Sequence, residues 1–144
     1  MNTPATLPPL DTVRERVLAM PMAQTLGLVF ESLSRGEVTL GAPIQPGWCF
    51  APGQLQATAM FSIADFAAVS AAATLLPEGW ANSTVDASVK FVAPARGERL
   101  RAHGRVVQAG KSLTVCAADV YAIDGVHETL CATLLGTARN FAWR

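Results

Sequence analysis

Charge is scarce in this chain of 144 residues: Lys, Arg, Asp and Glu make up 15% of it, and eleven basic residues balance eleven acidic ones. A net charge of zero argues against recognition of nucleic acid through a basic surface. Cysteine is scarce too. Cys49, Cys116 and Cys131 form no CxxC pair and no metal-ligand spacing, so they read as free thiols of a reducing cytoplasm. The two histidines, His103 and His127, have no carboxylate or cysteine at metal spacing, and no metal is expected. The opening MNTPATLPPLDTVRERVLAMPMA lacks a basic stretch followed by a long apolar core, so no secretory leader is expected. No run reads as a membrane span. Residues 55–76 come nearest by length, but they are Ala-rich, carry a charge and end at Pro77. There is no internal repeat.

What remains is a chain 51% hydrophobic, long enough for one domain with a real core and apolar enough to suggest a sizeable oligomer interface. Residues 1–10 are Pro-rich and expected to form a flexible tail. Asp11 can cap a short helix through Met20, with Val13, Val17, Leu18 and Met20 on its apolar side and Pro21 stopping it. Alternation predicts strands over 26–31 (Leu26, Leu28, Phe30) and 37–44 (Val38, Leu40, Ala42, Ile44), with a hairpin at Ser34-Arg35-Gly36. After the Pro/Gly-rich loop QPGWCFAPGQ, an apolar helix is expected over about 56–76. Four more strands come next, about 82–93, 98–109, 112–122 and 128–141, with turns at Pro94–Gly97, Gly110-Lys111 and Asp124-Gly125. Val85, Ala87, Val89 and Phe91 share one face of the first. One long helix and one antiparallel sheet must bury each other, which defines an α+β architecture.

Asp65 is the only charge between Leu55 and Leu76, and burying a carboxylate in so apolar a helix is costly. At about 100° per residue, Thr58, Ser62 and Asp65 fall within about 60° of one another. They make a narrow polar stripe on which Ser62 can reach Asp65. Burial would raise the Asp65 pKa and a neighbouring hydroxyl would lower it. The helix start, Gln54-Leu55-Gln56, has no good capping side chain. It leaves the N–H groups of Ala57, Thr58 and Ala59 for a ligand carbonyl.

Taken in order, these segments resemble the hotdog fold, and most closely the phenylacetate-degradation branch of acyl-CoA thioesterases. The resemblance spans about residues 20–140. It is carried by Leu26-Gly27-Leu28, Met60-Phe61-Ser62-Ile63-Ala64-Asp65, Ser83–Phe91, Pro94–Glu98, Gly110-Lys111-Ser112-Leu113 and Gly136-Thr137. It implies a long helix wrapped by one antiparallel sheet of about six strands. It also implies hydrolysis of a small or aryl acyl-CoA, which is substrate, so no cofactor is expected. The assembly implied is a homodimer within a homotetramer, with no nucleic acid and no membrane as partner. The family places His-Gly-Gly about two and a half turns before its acid, where this chain has Gln56, Ala57 and Thr58.

On that resemblance Asp65 is the general base or nucleophile, the Ala57 or Thr58 N–H polarises the thioester carbonyl, and Gln56 orients substrate or water. Gln54 stands for the polar residue of the upstream loop. Asp86 and Ser88, on the polar face of their strand, are placed to approach a partner's Asp65. Arg96 and Lys111, beside Gly97 and Gly110, are the expected holders of CoA phosphates. Trp48, Phe50, Met60 and Phe61 are candidates to line an acyl pocket. The replaced His-Gly-Gly keeps an alternative open, a non-catalytic acyl-CoA or acyl-carrier binding protein. A hotdog dehydratase ranks last, because no histidine lies near the helix.

Overall fold

The computed structural model describes residues 5–143. The elements run α1 (Leu10–Leu18), α2 (Pro21–Leu26), β1 (Val29–Ser34), β2 (Glu37–Pro43), a 3-10 turn (Pro46–Trp48) and β3 (Cys49–Ala51). They continue with β4 (Gln54–Leu55), α3 (Ala57–Ala73), β5 (Trp80–Phe91), β6 (Arg99–Gln108), β7 (Leu113–Asp124) and β8 (His127–Ala142). Six strands form one antiparallel sheet in the order β1-β2-β6-β7-β8-β5, and β3 and β4 make a small separate hairpin. The sheet wraps α3, the layout implied by the resemblance.

Small side chains let helix and sheet approach this closely. Ile63, Ala64, Ala67, Ala68 and Ala71 of α3 are fully buried against Val38, Leu40, Ala102, Ala118, Val120 and Ala132 of the sheet. Contact is tightest at Gly104 of β6, where a Cβ would stand 2.1 Å from the Ala67 carbonyl oxygen and 2.8 Å from the Ala68 nitrogen. Both are backbone atoms, so nothing there can swing aside.

Three expectations need correction. The strand expected over 26–31 begins only at Val29, because Pro21–Leu26 is helical. Pro21 does not stop a helix but starts one at N1, where its missing N–H costs nothing. Gly27, at φ 70°, ends that helix in the left-handed region. Leu26 and Leu28 are both buried, one on each side of this break, so their alternation imitates a strand. Second, α1 ends at Leu18, and Asp11 lies in its first turn, bonded to Arg14 at 2.7 Å, rather than capping it; Met20 is exposed. Third, within the Pro-rich tail, residues 1–4 lie outside the described residues, but 6–8 are tied down. The Thr6 oxygen accepts from the Glu78 N–H at 2.8 Å, and the Pro8 oxygen accepts from the Arg35 guanidinium at 2.6 Å.

Replacing Gly104 by Ala is expected to cost about 3 kcal/mol or more, since backbone must move to admit the methyl. Urea denaturation of the two proteins measures it; a loss under about 0.5 kcal/mol would mean that the approach of α3 to β6 is not a constraint.

Candidate active site

Asp65 lies on the margin of α3 that the sheet leaves least covered, and it is half-buried. Its Oδ1 accepts a hydrogen bond of 2.8 Å from the Thr84 hydroxyl on β5. Burial raises the Asp65 pKa, and the Thr84 bond offsets this only in part. Desolvation therefore wins over hydrogen bonding, which holds the carboxyl above the ordinary aspartate range and moves it toward that of a general base at work.

Ser62 does not share in this, contrary to the expectation from the stripe. Its hydroxyl donates back along the helix to the Thr58 oxygen at 2.9 Å, the usual local outlet for a helical serine. Thr84 supplies the hydroxyl instead. Strict alternation conceals it, because it would set Thr84 opposite to the apolar face of the strand. A bulge intervenes: Thr84 pairs with Ala138 and Asp86 with Thr137, which leaves Val85 as the extra residue. An extra residue reverses the facing of the residues beyond it. Before it, the Asn82 amide nitrogen and the Thr84 hydroxyl reach the Val69 oxygen and Asp65 on α3. After it, Val89 packs on the core. Asp86 and Ser88 consequently point away from α3 and from the Asp65 of their own chain.

The start of α3 lacks a side-chain cap, as the sequence predicts, but among the described residues it leaves two N–H groups free rather than the expected three. Gln56 is the N-cap, exposed, with no side-chain cap. The Ala59 N–H is used by the Gln56 oxygen at 3.1 Å, which leaves those of Ala57 and Thr58 without a partner among the described residues. Among the described residues none other than glycine has positive φ, so Ala57 and Thr58 carry their side chains at this turn without backbone strain. Arg96 stands nearby, its guanidinium 3.4 Å from Gln54 Oε1, a long and weak contact. Gly110 and Lys111 are elsewhere. They border a recess with Ala72, Leu75 and Pro77 at the far end of α3, and the Gly110 oxygen accepts from the Asn140 amide at 3.0 Å. One chain does not bring Arg96 and Lys111 together.

Two separate hollows border the polar stripe. One, of about 360 Å³, lies at the start of α3 and is lined by Met22, Trp48, Gln56, Thr58 and Ser62. The other, of about 300 Å³, opens beside Asp65 between α1, α3 and the first half of β5. Phe66, Val69 and Trp80 form its apolar walls. Of the expected pocket residues only Trp48 lines either hollow. Met60 is buried in the core, and Phe50 stands 69% exposed on the β3–β4 hairpin. Cys116 and Cys131 offer no nucleophile here: burial, with the Asp65 charge second, pushes the Cys116 thiol up to about 11, and burial also raises Cys131. No cluster of three metal-ligating side chains occurs among the described residues, and no helix among them is long and apolar enough to cross a membrane.

Known proteins share this fold. The family model described as the thioesterase superfamily matches residues 57–129, from the start of α3 into β8. A thioesterase family protein from Silicibacter pomeroyi is 32% identical, over 92% of this chain and 97% of its own, with a TM-score of 0.88. The chain belongs to the thioesterase superfamily and has its hotdog fold. The same fold recurs at lower identity. A thioesterase from Haemophilus influenzae is 15% identical over 96% of this chain and 94% of its own, with a TM-score of 0.82. A phenylacetic acid degradation-related protein from Ralstonia eutropha is 21% identical over 88% and 98%, with a TM-score of 0.77. Among curated proteins no match is found.

The raised Asp65 pKa has a stability consequence. The folded protein holds this proton more tightly than the unfolded chain, so the Asp65 contribution falls as pH rises from the ordinary value of 3.8 through the folded-state pKa. Asp65→Asn, which can still accept from Thr84, is expected to melt higher than the wild type at pH 7, with the gap closing toward pH 3 in thermal melts. Thr84→Val is expected to move the Asp65 titration further up, read by carboxyl carbon NMR. An unchanged or lower titration would contradict the assigned bond.

Proposed function

We propose that the chain is an acyl-CoA thioesterase of the phenylacetate-degradation type, hydrolysing a small or aryl acyl-CoA to the free acid and CoA. The observation that carries this reading is Asp65, desolvated and oriented by Thr84 beside an apolar cavity. As general base it takes a proton from water, whose oxygen bonds to the thioester carbon; the C–S bond then breaks and the CoA thiolate leaves, taking up that proton. As nucleophile it would instead bond to the thioester carbon and displace the CoA thiolate, forming a mixed anhydride that water opens to the free acid and the Asp65 carboxylate. In either case negative charge gathers on the carbonyl oxygen. The unpaired N–H groups of Ala57 and Thr58 and the positive end of α3 suit it. Gln56 lies within the same turn to steady the substrate, and Arg96 is the near cation for a CoA phosphate.

Distance then demands a second chain. Ala57 and Asp65 are eight residues apart on one straight helix, about 12 Å along its axis. The two groups must each stand about 3 Å from the atoms of a single carbonyl. The two belong to one site only if two helices lie side by side and antiparallel. β5 offers the means. It is the sheet edge nearest Asp65, twelve residues long, with Thr84 to Ser88 all exposed. A bare edge of that length is a template for pairing. Two copies joined edge to edge about a two-fold axis set their α3 helices antiparallel. In that homodimer the outward face of β5, with Asp86 and Ser88, lies at or near the seam.

The reading is tested on purified protein with short, medium and aryl acyl-CoAs. Wild type is expected to turn over at least one, and Asp65→Asn to lower kcat/KM by about 100-fold or more. Binding without turnover would favour the non-catalytic alternative, which the replaced His-Gly-Gly motivates. Complementation tests the shared site. Ala57→Pro and Thr58→Pro each remove one N–H in the first helical turn, where proline is tolerated. The one that abolishes turnover is mixed with Asp65→Asn. A shared site regains activity in the mixed dimers, each of which has one intact site; a site within one chain regains none.

A further inference from the structure

Ser70 has an unusual hydroxyl. It is buried, at 4% exposure, and it borders the cavity beside Asp65. Its counterparts on the helix bond back to the main chain, Ser62 to the Thr58 oxygen and Thr74 to the Ala71 oxygen. The Ser70 hydroxyl has no partner among the described residues. Nor is it sealed in the core, for the one fully occluded side-chain oxygen or nitrogen left unpaired among those residues is Asn140 Oδ1. The Ser70 hydroxyl therefore opens on the cavity, where it is free to bond a ligand oxygen. Across the floor, Asn82 spends its amide nitrogen on the Val69 oxygen and lines the same space.

The dimensions define what fits. Asp65 and Ser70 are five residues apart, about 7.5 Å along the helix and about 140° around it, so their side chains stand roughly 10 Å apart on two margins of the cavity; with a contact of about 3 Å at each end, roughly six atoms of an extended chain bridge them. A space of about 300 Å³ holds roughly ten non-hydrogen atoms at interior packing density. We infer that this cavity receives the acyl group, and that Ser70 selects acyl groups carrying a neutral oxygen, a hydroxyl or carbonyl, roughly six atoms from the thioester carbon. Phe66, Val69 and Trp80 enclose the intervening carbons. The inference rests on the thioesterase reading of Asp65 and adds to it a residue that sets specificity.

The test compares kcat/KM for ω-hydroxyhexanoyl-CoA with that for hexanoyl-CoA. Wild type is expected to favour the hydroxylated substrate about tenfold, the scale of one buried hydrogen bond. Ser70→Ala is expected to bring the ratio near one. Alanine is the better helix former, and Ala67, Ala71 and Ala73 already lie close by on the helix, so the variant is expected to fold. A ratio near one in wild type, or one that Ser70→Ala leaves in place, overturns the inference. Adipoyl-CoA is the third arm, because Arg16 also borders the cavity. If adipoyl-CoA is turned over fastest, and Arg16→Ala but not Ser70→Ala abolishes that preference, a carboxylate is being read and the inference falls. Should no thioester be hydrolysed, the thioesterase reading fails separately. Calorimetry with the same two CoA esters then decides the pocket: a tenfold tighter hydroxylated ester, lost in Ser70→Ala, supports it, and equal affinities overturn it.

Discussion

The molecule depends on how near α3 comes to the sheet. At Gly104 there is no room for even one methyl between β6 and the helix backbone. The helix surface facing inward is accordingly alanine, with Ile63 the largest fully buried side chain on it. Such packing obtains its stability from many small apolar contacts and tolerates almost no polar group. The sheet encloses most of the helix circumference and leaves one margin, where Thr58, Ser62 and Asp65 stand in line. A carboxylate is tolerable there because it is half solvated and has one good hydrogen bond.

That margin is a compromise between two energies. Water and the Thr84 hydroxyl favour the charged carboxylate, whereas the surrounding alanines, Phe66 and Val69 favour the neutral acid. Desolvation prevails, and the outcome is a group whose pKa lies above its ordinary value. Thr84 also ties the acid to β5, the sheet edge that the proposed dimer would pair. A displacement of that strand would change the orientation and the acidity of Asp65 together. On the proposed reading, assembly and chemistry are therefore coupled through a single hydrogen bond.

Much of this was legible in the residues, and the failures have physical causes. The long helix, the strands from β5 onward, the bare helix start and the lone acid are dictated by periodicity, turn residues and the cost of charge. Local pattern failed where two structures share one pattern: Leu26 and Leu28 are spaced as in a strand, yet they flank a helix end at Gly27. It failed again where one inserted residue changes the phase, as Val85 does in turning Thr84 toward Asp65, while Asp86 and Ser88 keep the polar face that alternation gives them. The helical projection offers Ser62 to Asp65 because it gives only angular position, whereas the hydroxyl prefers the main-chain carbonyl one turn back. The cavity beside Asp65 was not legible at all. Its walls come from α1, α3 and β5, and no local rule predicts which distant segments enclose a space.

The central claim is that Asp65, with its pKa raised by burial, acts as the base or nucleophile that initiates thioester cleavage. The pH dependence of kcat/KM tests it most directly, because it reports the acid that must be ionised in the free protein. The account predicts a rate that rises with pH through an apparent pKa above the ordinary 3.8 of aspartate, with that limb absent from the residual rate of Asp65→Asn. A limb at or below 3.8, or one that persists when Asp65 is replaced, would contradict it.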